Sequence, residues 1–162
     1  KENFKREKKY AGGLLMHSAS SVAEYVLAKY AEKNVSLSNL KLQKILYFLQ
    51  AEFLVRTEKP LFPDEILAWD IGPVVPSVYQ KYRIFGGAGI PYRPQIRQFS
   101  FSRKEKAIID EIVFSTLDYS ASKLTEMTMH QNPWLDAYEN AVGTKISNEK
   151  IKKFFQELLK ML

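Results

Sequence analysis

Hydrophobic positions recur at helical spacing over most of this chain. From Ser18 to Lys33, Val22, Tyr25, Val26 and Tyr30 share a face with the aliphatic stem of Lys29, which predicts an amphipathic helix. Asn34 to Asn39 interrupts the pattern, and Ser38 is a good N-cap for a second helix, because its hydroxyl can satisfy an amide of the first turn. That second helix is the clearest in the chain. Leu42, Ile45, Leu46, Leu49 and Phe53 form its stripe, and Lys41, Lys44 and Arg56 are expected on another side. It should end near Thr57, ahead of Lys59-Pro60.

Pro60 and Pro63 keep the connection extended, and Glu65 to Ile71 alternates Ile66, Ala68 and Asp70 against Leu67, Trp69 and Ile71, predicting a short strand. Gly72-Pro73 ends it. Val74 to Phe85 reads as helix, with Pro76 tolerated in the first turn and Val75, Val78, Tyr79 and Tyr82 as its stripe. Gly86-Gly87-Ala88-Gly89 reads as a mobile surface loop, and Gln95 to Phe101 is expected to be a second strand pairing with the first. Ser102 caps a helix to about Leu117, Ser120 one through Met129, and Asn132-Pro133-Trp134 opens another. Ser147 caps the last helix, whose Ile151, Phe154, Phe155, Leu158 and Leu159 are expected to face the core. The expected fold is mainly α: a single compact multi-helix domain with about seven helices and a small two-stranded β ribbon in the middle.

Length and composition agree with one domain. The chain has 162 residues, 46% hydrophobic and 13% aromatic, enough apolar surface to offset the ordering entropy of a core. With no cysteine, disulfides, thiolate metal sites and cysteine nucleophiles are excluded. Two histidines make a zinc or non-haem iron site a poor expectation, and no apolar run is long enough to span a bilayer. The expected location is cytoplasmic. The formal charge of +6 raises nucleic acid as a partner, but the leading segment carries Lys1, Lys5, Arg6, Lys8 and Lys9 against Glu2 and Glu7, leaving a mildly basic body. Residues 1–16 therefore read as a basic leader, a tag or a disordered arm, with Met16 a candidate start, and residues 17–162 as the domain.

Candidate chemistry is sparse. The glycines of 86–89 lack the Gly-Lys-Ser/Thr ending of a phosphate loop and are followed by Ile90-Pro91. His17, beside the leader, is expected to be exposed, and His130 to sit at a helix end, where the dipole favours a cation. No Gly-x-Ser-x-Gly elbow is present, and Ser77 has no base near it in sequence. Asp110 and Glu111 are expected to face solvent. A helix–turn–helix reading of Val22 to Arg56 would make the second helix a DNA reader carrying Asn39, Lys41, Gln43 and Lys44, although the connection is longer than usual and the helix unusually apolar. Trp69, at the edge of a rigid turn, suits either the core or an interface.

Several segments in order resemble the SocA-like, or Panacea, antitoxin domain, often described as a phage-associated protein. They are Leu40-Lys41-Leu42-Gln43-Lys44-Ile45-Leu46-Tyr47-Phe48, Lys59-Pro60-Leu61-Phe62, Ile66-Leu67-Ala68-Trp69 and, most specifically, Gly72-Pro73-Val74-Val75-Pro76-Ser77-Val78-Tyr79. Leu124, Thr128, Pro133-Trp134, Ile146-Ser147-Asn148, Ile151 and Phe154-Phe155 are similar to the closing segments of that family. The family commonly has Thr-His ahead of Pro-Trp, whereas here Thr128 is followed by Met129 and then His130. The resemblance implies a non-enzymatic helical domain that neutralises a cognate toxin by direct contact, in some members as an adaptor to a protease, and that needs no cofactor.

The expected partner-binding surface is Trp69, Pro73, Val75, Pro76, Tyr79, Lys81 and Arg83. The prolines would pre-order it, the aromatics would supply anchor area, and the two cations would steer an acidic partner. A homodimer, a DNA-binding regulator and a phage-borne inhibitor of a host defence protein are the other readings the sequence leaves open.

Overall fold

A computed structural model describes residues 16–94 and 99–162, and the leader expectation for residues 1–15 lies outside them. Among the described residues seven α-helices surround one small ribbon. They are α1 (Ala19–Glu32), α2 (Asn39–Thr57), α3 (Pro76–Tyr82), α4 (Arg103–Thr116), α5 (Ala121–Met129), α6 (Asn132–Asn140) and α7 (Asn148–Lys160). A 3-10 turn at Arg83–Phe85 extends α3. The fold is mainly α, as the periodicity predicts.

Helix starts follow from local chemistry. Ser18, Ser38, Ser102, Ser120 and Ser147 each accept a hydrogen bond from the backbone amide three residues on, satisfying one of the donors a helix start leaves unpaired. Ser102 also forms a reciprocal capping box with Glu105. Proline stands in the first turn of α3 and of α6, where its missing N–H costs nothing.

Helix α2 is the axis of the domain and packs against α1, α3, α4, α5, α7 and the ribbon. A helix covered on all sides cannot keep a solvent face. Lys41 and Lys44, expected to point away from the core, are therefore 7% and 0% exposed. Asn39, Gln43 and Gln50 are buried with them. Periodicity identifies the best apolar stripe but does not report that other elements cover the remaining faces.

The ribbon corrects two further expectations. Its first strand, β1, is Leu67–Trp69, and its partner β2 is Gly72–Val74, with Leu67 opposite Val74, Ala68 opposite Pro73 and Trp69 opposite Gly72. Gln95 to Phe101 is not that partner: 95–98 lie outside the described residues, and Phe99 and Phe101 pack edge-on against Tyr25 instead. A three-residue strand centred on proline shows no alternation to read, and Val74 belongs to it rather than to α3. The other edge of β1 is covered by residues 143–146. Gly143 donates to the Ala68 carbonyl, Ala68 donates to that of Thr144, and Ile146 donates to that of Ile66.

Three smaller differences have simple causes. Gly89 is pinned in a bridge to Ser38, with Ile90 donating to the Leu37 carbonyl at 2.8 Å, so the glycine loop is anchored at its far end. His17 is buried rather than exposed, because its Nε2 lies 2.9 Å from a Glu105 carboxylate oxygen and its ring packs on Phe101. Of the α7 stripe, Ile151 and Phe155 are buried and Phe154 is half-buried, whereas Leu158 and Leu159 are 40% and 53% exposed.

Candidate functional site: a clamped turn and helix

The segment from Trp69 to Tyr79 is held in place by side chains of α2. Lys44 Nζ donates to the Pro73 carbonyl at 2.8 Å. Gln43 Oε1 accepts the Val75 amide at 2.9 Å, and its Nε2 donates to Asn39 Oδ1. Asn39 Nδ2 in turn donates to the Tyr79 carbonyl. One face of α2 thus bonds the backbone of β2, the start of α3 and the middle of α3. The residues that look like a surface motif in the sequence are internal pins.

Other elements finish the clamp. Asp64 accepts from the Ala19 amide with one oxygen and from the Ser77 hydroxyl with the other, tying α3 to the start of α1. Trp134 Nε1 donates to the Trp69 carbonyl at 3.0 Å, and the Tyr138 hydroxyl donates to Asp70. Gly72 adopts φ +93°, and a Cβ there would lie 3.1 Å from Thr128 Oγ1 and 3.2 Å from Lys44 Cε. Glycine is needed both for the backbone region and for the space.

The electrostatics follow from burial. Among the described residues no carboxylate is bonded to Lys44, and desolvation pushes its ammonium down from 10.5 to about 7. Burial also lowers the pKa of Lys41, whose Nζ reaches the Leu117 carbonyl just past the C-terminus of α4 and lies over the Tyr30 ring. Burial raises that of Tyr47, whose hydroxyl donates to Gln131 at the junction of α5 and α6.

The structure sorts the seven expected surface residues into three groups. Pro73 and Val75 are buried and shape the turn from beneath. Trp69, Pro76 and Tyr79 are half-buried, and the Trp69 and Tyr79 rings meet edge-to-face with centroids 5.1 Å apart. Lys81 and Arg83 are exposed; Lys81 lies round the helix from that pair, since two residues along a helix is roughly 200° of rotation, whereas Arg83, four residues beyond Tyr79, returns to roughly its side. Lys81 is engaged by Glu24 and Ser20, each at 2.8 Å. Sequence reasoning singled out Asn39, Gln43 and Lys44 only as a possible DNA-reading set, and missed Gln50 and Asp64. Polar residues repeating within the most apolar helix were the available signal.

The same burial bears on the DNA-reading alternative. Asn39, Lys41, Gln43 and Lys44 are at most 7% exposed and bonded internally, so this helix does not offer them to a groove. No helix among the described residues is long and apolar enough to cross a membrane. His130, at the C-cap of α5, is exposed.

The arrangement is a helical scaffold presenting a rigid turn and an aromatic pair, and comparison with known proteins places it in a class. Residues 42–135, from α2 through the ribbon and α3 into α6, match the profile of the antitoxin SocA-like Panacea domain, and the chain belongs to that family. Among characterised proteins it is similar to the antitoxin SocA of Caulobacter vibrioides (strain NA1000 / CB15N), at 43% identity over 68 residues. That match covers 42% of this chain and 36% of the relative, so the shared segment spans about a third of the relative's length. No solved structure matches.

Proposed function

We propose that this chain is the antitoxin of a toxin–antitoxin pair and acts by binding its cognate toxin directly through the Trp69–Tyr79 face. The observation that carries the reading is the half-exposed aromatic pair on a backbone fixed by Lys44, Gln43 and Asn39. A surface already held in its bound shape loses little entropy on association, and a large aromatic beside a turn is a typical energetic centre of an interface. Family membership supplies the antitoxin class; the contact mechanism and the face are inferred from the geometry.

The test is growth rescue. The gene adjacent to the one encoding this chain is induced with and without the chain, and complexes are recovered from survivors. Relief of toxicity with a stoichiometric complex is expected, together with loss of both for Trp69→Ala/Tyr79→Ala at unchanged helix content. Rescue without a complex would overturn direct binding, and rescue by the double variant would overturn the face.

A further inference from the structure

The clamped aromatic pair sits in a part of the chain that has no cations of its own. Residues 60–80 and 124–144 contain Asp64, Glu65, Asp70, Glu126, Asp136 and Glu139 and no Lys or Arg, in a protein whose formal charge is +6. The fold brings the two segments together: α6 packs on β1, α5 on β2, and Trp134 donates to the Trp69 carbonyl. Asp70 follows Trp69 at the tip of the turn and is exposed. One of its oxygens accepts the Tyr138 hydroxyl, a neutral donor, and the other has no partner among the described residues. Asp136 and Glu139, exposed on α6, form no ion pair among the described residues either. The cations that border this region are mostly engaged. Lys44 is internal, Lys145 lies 3.7 Å from Glu65, and Lys81 is held by Glu24 on the α1 side. Arg83 stands one turn beyond Tyr79, at the far end of α3.

We infer that the Trp69–Tyr79 face receives a basic segment of the partner protein, with an arginine side chain of that segment against the aromatic pair at the turn end, where Asp70 stands. The inference rests on the antitoxin reading and its face, and adds the partner's chemistry, opposite in sign to what Lys81 and Arg83 suggest in the sequence. A cation over an aromatic ring is attracted by the ring quadrupole. A guanidinium does this while its edge donates to a carboxylate, a combination that an ammonium matches less well. A nucleic acid would meet uncompensated carboxylates beside the rings and be repelled. An apolar segment covering the rings would desolvate a neighbouring carboxylate without giving it a counter-charge. Arg83 sets the direction, since it repels a cation from the far end of α3 and leaves the turn end as the place for it. Asp136 and Glu139 add to the field that steers a basic partner, so the contact should weaken as salt rises.

Two measurements test it. The first is the affinity of the adjacent gene's product for the wild type, Asp70→Asn and Arg83→Gln, at low and at raised salt. Asparagine keeps an oxygen for the Tyr138 hydroxyl and removes only the charge, and both positions are exposed, so the fold tolerates the substitutions. A loss of about tenfold for Asp70→Asn, shrinking as salt is added, and an unchanged or tighter complex for Arg83→Gln are expected. Unchanged or tighter binding by Asp70→Asn overturns the basic partner; if Trp69→Ala/Tyr79→Ala still loses the toxin, the antitoxin reading and its face stand. The second is the binding of fluorescent Gly-Ser peptides with two Arg, two Lys, two Glu or two Leu at the centre to the purified chain. It decides alone when the wild type binds no toxin and the antitoxin reading fails. A preference for the Arg peptide that is lost in Asp70→Asn and in Trp69→Ala/Tyr79→Ala is expected. No such preference, or one that survives these substitutions, overturns the inference.

Discussion

Replacing Lys44 by Met removes the fully buried ammonium from the clamp, and its effect can be worked out from the site. Met keeps most of the stem and fills the same space without a charge. In the fold the Lys44 ammonium titrates near 7 because burial disfavours its charge; in the unfolded chain it returns to 10.5. At ~1.4 kcal/mol per pH unit, holding it in the fold costs roughly 4–5 kcal/mol at neutral pH. The substitution also strips the Pro73 carbonyl of its donor, which costs about 1–3 kcal/mol. Lys44→Met should therefore be more stable than the wild type at neutral pH by a few kcal/mol. The sign of the pH dependence is fixed as well. Between about 7 and 10.5 the folded state binds fewer protons than the unfolded state, so wild-type stability rises with pH across that window, by at most ~1.4 kcal/mol per unit from this group. Lys41 contributes in the same direction. Tyr25, Tyr30, Tyr47 and Tyr82, whose pKa burial raises above 10.0, oppose it only as the unfolded tyrosines begin to ionise above about pH 9, so below that Lys44→Met should keep only the Lys41 slope. Urea unfolding monitored by helix ellipticity, at several values from about pH 7 to pH 8.5, reads both quantities. A wild type whose midpoint stays flat or falls over this range, or a variant with the full slope, refutes the reasoning.

Other contacts give further expected outcomes. Gly72→Ala should lose roughly 1–3 kcal/mol, because alanine is strained at φ +93° and meets Thr128 and Lys44, whereas Gly87→Ala, with nothing within 4 Å of its Cβ, should stay within about 0.5 kcal/mol in the same urea titration. Ser102→Ala removes a reciprocal capping box and should cost ~1 kcal/mol, visible as a lowered thermal midpoint. On α7, Leu159→Glu should be tolerated, while Ile151→Ala, fully buried, should cost about 2–5 kcal/mol; equal effects at the two positions would show that the helix is seated differently.

Local chemistry was readable from the sequence, and tertiary covering was not. The serine caps and helical prolines act within one turn, so Ser38, Ser102, Ser120 and Ser147 marked their helices correctly. The Leu42–Phe53 stripe was equally plain. What periodicity cannot show is how many elements pack against a helix, and so Lys41 and Lys44 were placed on an open face with Arg56, when only Arg56, near the end of α2, is exposed. The partner of β1 was missed because β2 is three residues centred on a proline and comes straight after a two-residue turn. Trp69 and Tyr79 stood out individually, as aromatics beside Gly72-Pro73. That their rings meet depends on the Gln43, Lys44 and Asn39 bonds, which no local pattern encodes. Lys81 was grouped with them by sequence distance, and helical rotation of roughly 200° from Tyr79 turns it to the α1 side, where Glu24 holds it.

The central claim is that the clamped aromatic face binds a protein. It is tested most directly by titrating the product of the adjacent gene into the purified chain and into Trp69→Ala/Tyr79→Ala by calorimetry, with ellipticity confirming equal helix content. The account predicts a saturable complex with the wild type and a loss of roughly a hundredfold or more in the variant, the size expected when two anchor aromatics are removed. Equal affinity of a folded variant would contradict it.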